Sequence, residues 1–218
     1  MKRFISSVLV LGVCLTPLTV PLMVQPSWGQ SLNSQVEEIN RLIQEARQQQ
    51  RQGQARQAIE TWQQVLALVR QVKDKKLEAL ALHDIGFNYW RISQPQEALK
   101  YLNQALPISR EVGARAGEAA TLNNIGEVYD SISQPQEALK YYNQALPIIQ
   151  SVGARSGEAT ILSNIGAVYN RIRQPQEALK HYNQALPIMR QVGDRAGEAR
   201  TLNNIGAVYN CISQPQKH

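Results

Sequence analysis

Apolar and polar positions alternate along this chain with the period of a helix, in blocks that repeat. From Glu118 to Ser131 the apolar positions include Leu122, Ile125, Gly126 and Tyr129, spaced i, i+3, i+4, i+7. That spacing predicts an amphipathic helix with one buried stripe. Ser133-Gln134-Pro135 reads as a turn, with Pro135 suited to the first position of a second helix, where its missing N–H is not needed. The second stripe is Ala138, Leu139, Tyr142, Ala145, Leu146 and Ile149. Val152-Gly153 closes it, with Gly153 as the expected left-handed cap, and Ala154-Arg155-Ser156 leads onward.

The same block recurs every forty residues. Gly86, Gly126, Gly166 and Gly206 share one position; Tyr89, Tyr129, Tyr169 and Tyr209 share another; Pro95, Pro135, Pro175 and Pro215 a third. Ala58, Trp62 and Val65 extend the phase back by one unit. The reading is an array over 39–212, with units near 39–78, 79–118, 119–158 and 159–198 and a partial unit at 199–212. A tail at 213–218 follows. A lone helix pair cannot bury this much apolar surface, but stacked pairs can. Gly126 and Ala138 are small enough for two helices to approach closely, with Tyr129 and Tyr142 filling the space between.

The pattern Leu122, Ile125-Gly126, Tyr129, Ala138, Tyr142 and Ala145 resembles the tetratricopeptide repeat, in a unit longer than the usual one of about 34 residues. "TLNNIGAVYN" and "GDRAGEARTLNNIG" look like the longer repeats of kinesin light chains and cell-polarity adaptors. "QPQEALKYYNQALPI" is similar to bacterial repeat proteins that often carry a caspase-like CHAT domain. The resemblance implies an all-α fold, a right-handed α-solenoid of stacked antiparallel helix pairs. Pro107, Pro147 and Pro187 fall late in each second helix. A proline there frees one carbonyl, near Asn143 in the third unit, and a bend is expected.

Composition changes this picture mainly at the N-terminus. Lys2 and Arg3 precede the uncharged apolar run Phe4–Val24, and Ser27-Trp28-Gly29 offers small residues for cleavage, so 1–29 reads as a secretory signal. Residues 30–38 then read as a short linker. Export to the periplasm or medium is expected, with an uncleaved membrane anchor through 4–24 as the alternative. Loss of Lys2 and Arg3 would lower the formal charge from +6 to +4. Such a mildly basic, exported chain is a poor reader of nucleic acid. Cys14 would leave with the signal, and Cys211 would have no intramolecular partner.

Candidate chemistry is sparse. His83, His181 and His218 lie in separate places, without metal-ligand spacing. No nucleophile elbow or phosphate loop occurs. Acidic residues read as scattered, and Cys211 has no evident base. The expectation is a non-enzymatic protein with no metal and no cofactor. The Gln-rich stretch 44–57 stays in phase with the units, so it reads as the polar face of an atypical first repeat, with Gly53 in its turn.

The resemblance places a ligand groove on the first helix of each unit. Its stripe would run through Arg47 and Arg51, then Phe87 and Arg91 with Trp90 beside them. Asn124 and Glu127 follow, flanked by Asn123 and Asp130, and then Asn164 and Arg171. Arg200 and Asn204, with Asn203, end it. Asn124, Asn164 and Asn204 form a ladder of amides that both donate and accept, suited to holding an extended peptide backbone; the alternative is that they tie repeats together. Arg47, Arg51 and Arg91 make the early groove positive, and Glu127 and Asp130 make its middle negative, unless this is an ordinary solvated face. The chaperone-type carboxylate clamp needs Lys and Asn on one first helix, where the third unit has Asn123 and Glu127. In the last unit Leu202, Ile205 and Tyr209 are expected to pack inward on the preceding unit, leaving the outer side of that helix open.

The first functional reading is a protein–protein interaction scaffold that binds a peptide or partner protein in its groove. Two alternatives stand beside it: the detached or truncated regulatory half of a CHAT-type protein, and a structural module that self-assembles through the open last helix.

Overall fold

The computed structural model describes residues 27–213. The expected signal falls largely, and the tail beyond Ser213 wholly, outside the described residues.

Nine helices follow one another among the described residues: α1 (Ser27–Arg51), α2 (Ala55–Gln71), α3 (Lys75–Arg91), α4 (Pro95–Glu111), α5 (Arg115–Ser131), α6 (Pro135–Ser151), α7 (Arg155–Arg171), α8 (Pro175–Val192) and α9 (Arg195–Ser213). Residues 30–38, expected as a linker, lie inside α1. The buried stripe of that helix, Ile39, Leu42, Ile43 and Ala46, begins after them, and Val36 is exposed. The first helix of the third unit begins at Arg115, one turn earlier than its apolar stripe.

Beneath the forty-residue repeat lies a twenty-residue one. Every junction holds one residue in the left-handed region, at Gly53, Lys73, Ser93, Gly113, Ser133, Gly153, Arg173 and Gly193. Each carries the same pair of closing bonds. At the α6–α7 junction the Gly153 N–H donates to the Gln150 carbonyl at 3.0 Å, and the Ala154 N–H to the Ile149 carbonyl at 3.2 Å. This is the Schellman arrangement, which satisfies the last carbonyls of a helix and reverses the chain in three residues. At Ser93, Ser133 and Arg173 a side chain occupies a backbone conformation that costs a non-glycine residue about 1–2 kcal/mol.

Within a unit, the glycine notch of the first helix receives a large side chain from the second. An added Cβ on Gly126 would stand 2.6 Å from the Tyr142 ring, and one on Gly166 2.8 Å from the Tyr182 ring. Trp62, Tyr142 and Tyr182 are wholly enclosed. Each buried apolar side chain of this size contributes about 1.5–3 kcal/mol. At the edge of each pair an aromatic stack adds to this: Tyr89 on Tyr101 and Tyr129 on Tyr141, both with ring centroids 5.4 Å apart, and Tyr169 on His181 at 5.5 Å.

Between units the sequence hides a second repeat, at Glu78, Glu118, Glu158 and Glu198, which composition alone made look scattered. Buried Glu118 accepts from Arg110 at the end of α4 (2.8 Å) and from Arg115 (2.6 Å). Glu78 does the same with Arg70 and Lys75, and Glu198 with Arg190 and Arg195. Glu158 bonds Arg155, with Gln150 where the other junctions have arginine. An acidic side chain in the first turn also complements the helix dipole.

Helices α4, α6 and α8 continue unbroken through Pro107, Pro147 and Pro187. All three prolines are exposed, as are Asn103, Asn143 and Asn183 four residues earlier. The carbonyls those prolines release therefore lie on a wet face, where water can take the lost bond.

The odd-numbered helices touch across units, α3 with α5, α5 with α7 and α7 with α9. No comparable contact joins successive even-numbered helices. A stack close on one side and spread on the other curves toward the close side, so the odd helices line the inner surface.

The last unit corrects one expectation. Leu202 and Tyr209 do not pack inward: they are 44% and 54% exposed. Thr201, Val208 and Gly197 are the buried residues of α9, with Ile205 partly buried. The Leu–Ile–Gly–Tyr stripe faces the second helix of its own unit, and no described residue supplies one here.

Candidate functional site

The inner surface carries a continuous polar ladder from unit to unit. Between α1 and α3, the Gln50 side-chain amide donates to Asp84 (2.9 Å), and Arg91 donates to the Gln50 carbonyl (2.9 Å). Between α3 and α5, the Asn124 amide meets His83 Nε2 at 2.9 Å. Between α5 and α7, the Asn164 amide donates both to Asn123 (3.1 Å) and to Glu127 (3.0 Å). Between α7 and α9 the link lies beneath the surface, where buried Ser163 and Thr201 pair at 3.0 Å. The asparagines are thus partly engaged with side chains of neighbouring units. An amide has two N–H groups and an acceptor oxygen, so further bonding capacity remains on Asn124 and Asn164.

The charges are arranged differently from the expected gradient. Asp130 is held by both guanidinium arms of Arg171, at 2.6 and 2.9 Å. Glu127 accepts from Asn123 and Asn164, and Arg200 lies within electrostatic reach. Burial pushes both carboxyl groups above their ordinary range, in Asp130 against the pull of Arg171. The middle of the groove is therefore not a free negative patch. Arg47 and Arg51 are exposed at its start. Arg91 lies over the Phe87 ring, 6.0 Å from its centroid, and Phe87 lies 5.8 Å from Trp90. Asn204 bonds the Tyr182 hydroxyl, whose pKa burial raises to about 12. Asn203 is exposed at the far end, away from the ladder.

In the centre of this surface is a cavity of about 340 Å³. His83, Asp84 and Phe87 of α3 form one wall, Ala119, Ala120, Asn123 and Asn124 of α5 a second, and Gly157, Thr160 and Ile161 of α7 a third, with Ile149 contributing from α6. Its size is at the lower end for ligand pockets, and its make-up, apolar with a few convergent polar groups, is typical of them. A second hollow of about 570 Å³ lies against Trp90, Arg91, Pro95 and Ser131.

Of the residues expected along the groove stripe, Phe87, Asn123 and Asn124 line this cavity. Ile149 and Gly157, which lie outside that stripe, reach the cavity from a second helix and from a helix start. Among the described residues no group of His, Cys, Asp and Glu is placed to hold a metal ion, and no helix is long and apolar enough to cross a membrane. Cys211 is exposed.

Comparison with known proteins agrees with this architecture. One tetratricopeptide repeat family model matches residues 41–111 and 157–217, and a second matches 119–152. No curated protein sequence matches the chain. Among solved structures, BtubC (BKLC) from P. vanneervenii aligns with a TM-score of 0.68 at 20% identity, over 85% of this chain and 84% of that one. A putative kinesin light chain from Podosopora anserina with nearly identical TPR-like repeats aligns at 0.65 and 20%, over 82% and 88%. A Rap protein complexed with competence and sporulation factor aligns at 0.70 and 17%, over 79% of this chain and 48% of its own. At these identities the likeness is one of fold: a right-handed α-solenoid.

Proposed function

The chain belongs to the tetratricopeptide repeat family, whose fold is a scaffold for protein–protein interaction, and from that premise we propose that its inner groove binds an extended peptide segment of a partner protein. An aliphatic or aromatic side chain of that segment occupies the central cavity. The backbone on either side bonds to Asn124, Asn164 and Asn204, and the exposed Arg47 and Arg51 favour acidic residues at one end. The cavity is the observation that carries this reading, because it sets an apolar hole beside amides with bonding capacity to spare. Burying one such side chain is worth about 1.5–3 kcal/mol. The apolar run Phe4–Val24 and the small residues before Gln30 favour action outside the cytoplasm. No catalytic or cofactor role enters the proposal.

The test is selection of displayed random peptides on the wild-type protein, followed by titration against Ala120→Trp and Asn164→Ala. Ala120 lines the cavity without belonging to the core, so tryptophan there fills the hole. Loss of about tenfold or more in affinity for Ala120→Trp, with an unchanged circular dichroism spectrum, is expected. Peptides that bind this variant as well as wild type would overturn the proposal.

A further inference from the structure

The two carboxylates in the middle of the groove are held differently. Asp130 is closed off: both its oxygens bond Arg171, and its carbonyl takes a further bond from the same guanidinium at 2.7 Å. Glu127 has no ion pair among the described residues. Its Oε1 accepts from the amides of Asn123 (3.2 Å) and Asn164 (3.0 Å), and its Oε2 accepts from none of the described residues. Neutral amides orient the side chain without cancelling its charge, and an uncancelled charge is costly where it is partly buried. The upward shift of its carboxyl has that cause. The repeat does not require an acid here, since the same slot holds Arg47, Phe87, Ala167 and Ala207 in the other units. The two alanines leave α7 and α9 without a cation at that level. Arg200 is exposed on α9 and acts on the carboxylate through space, without a hydrogen bond. Asn123 both bonds Glu127 and lines the central cavity. The carboxylate therefore stands one helical turn, about 5–6 Å, from the cavity wall.

We propose that Glu127 seats a basic side chain, lysine or arginine, of the same peptide segment whose apolar side chain fills the central cavity. The inference rests on the groove reading above and fixes a second position in the ligand. An ammonium or guanidinium group donates to Oε2 while Oε1 keeps its two amides. That completes the hydrogen bonding of the carboxylate and cancels its charge. Side chains on one face of an extended chain recur every second residue, about 7 Å apart. The basic residue therefore stands two places from the apolar one. Asp130 does not compete for it, because Arg171 already occupies that carboxylate. Arg200 is the competitor from within the chain.

The probe is a display library of peptides with a fixed central leucine and with lysine, arginine, methionine, glutamine or glutamate two places to either side. It is selected on wild type, Glu127→Gln, Arg200→Gln and Ala120→Trp. Glu127→Gln keeps an oxygen for Asn123 and Asn164 and removes only the charge, so the circular dichroism spectrum should not change. On wild type, lysine and arginine should be enriched over methionine by about fivefold. On Glu127→Gln that preference should disappear, and on Arg200→Gln it should persist or grow. Acetylating the lysine of a selected peptide should weaken its binding to wild type by the same factor, which tests the charge without altering the protein. An equal basic preference on Glu127→Gln overturns the seat and leaves the groove reading standing. So does the absence of any basic preference among peptides that Ala120→Trp fails to bind. A preference seen only on Arg200→Gln also overturns it, since Arg200 then holds the seat. Peptides that bind Ala120→Trp as well as wild type overturn the groove reading, and this inference with it.

Discussion

One substitution made at two places should change stability in opposite directions. Gly126→Ala puts a Cβ 2.6 Å from Cε1 and 2.7 Å from Cδ1 of Tyr142. Carbon atoms rest about 3.5–4.0 Å apart, so the ring must retreat by about 1 Å. Tyr142 is enclosed on all sides, and overpacking of that kind costs about 1–3 kcal/mol. Alanine in place of glycine in a helix returns up to about 1 kcal/mol, leaving a net loss of up to about 2 kcal/mol. Gly206→Ala sits in the same local sequence but meets nothing, so only the helix gain of about 1 kcal/mol remains. Urea denaturation followed by circular dichroism measures the first change, equivalent to a fall of up to about 8 °C in thermal midpoint. Stability in a repeat array is distributed over units, so the second is read best as slower hydrogen exchange of α9 amides. Equal signs for the two variants, or a stabilised Gly126→Ala, would refute the notch-and-ring account.

Three further outcomes are expected. Arg173→Gly removes a side chain from a left-handed backbone position and should stabilise by about 0.5–1 kcal/mol in urea denaturation. His181 takes the place held by Tyr101 and Tyr141, its Nδ1 is buried without a hydrogen-bond partner, and burial holds its pKa below the ordinary value. The unfolded chain then takes the proton first, so stability should fall as pH drops through about 6.5, and His181→Tyr should flatten urea midpoints between about pH 8 and pH 5. Gln150→Arg would complete the fork on Glu158 that Arg110 completes on Glu118, and should add a few tenths of a kcal/mol, roughly the value of a half-exposed pair, that high salt removes.

The helix pairs, their turns and the Gly126–Tyr142 contact were legible because a forty-residue repeat displays each buried position several times. The left-handed turns at Ser93, Ser133 and Arg173 were not, since nothing in those residue types announces positive φ. The Glu118 fork has the same forty-residue period as the glycines, but a charged residue on its own carries no sign of burial, and its arginine comes from the preceding unit. The partners of the groove asparagines depend on the rotation between units: Asn124 reaches His83, whereas Asn164 reaches Asn123 and Glu127. No one-dimensional pattern fixes that rotation. The inward packing expected of Leu202 and Tyr209 failed for a related reason. A helical stripe shows that a face is buried, not which neighbour buries it.

The central claim is that the inner surface of the odd helices is where a partner binds. Nuclear magnetic resonance of the labelled protein, titrated with a peptide selected on it, tests this most directly. The account predicts that the side-chain amides of Asn123, Asn124 and Asn164 and the amides around Ala120 and Thr160 shift together, saturably, while those of the outer residues Asn143 and Asn183 stay in place. Shifts confined to α4, α6 and α8, with the groove amides unmoved, would contradict it.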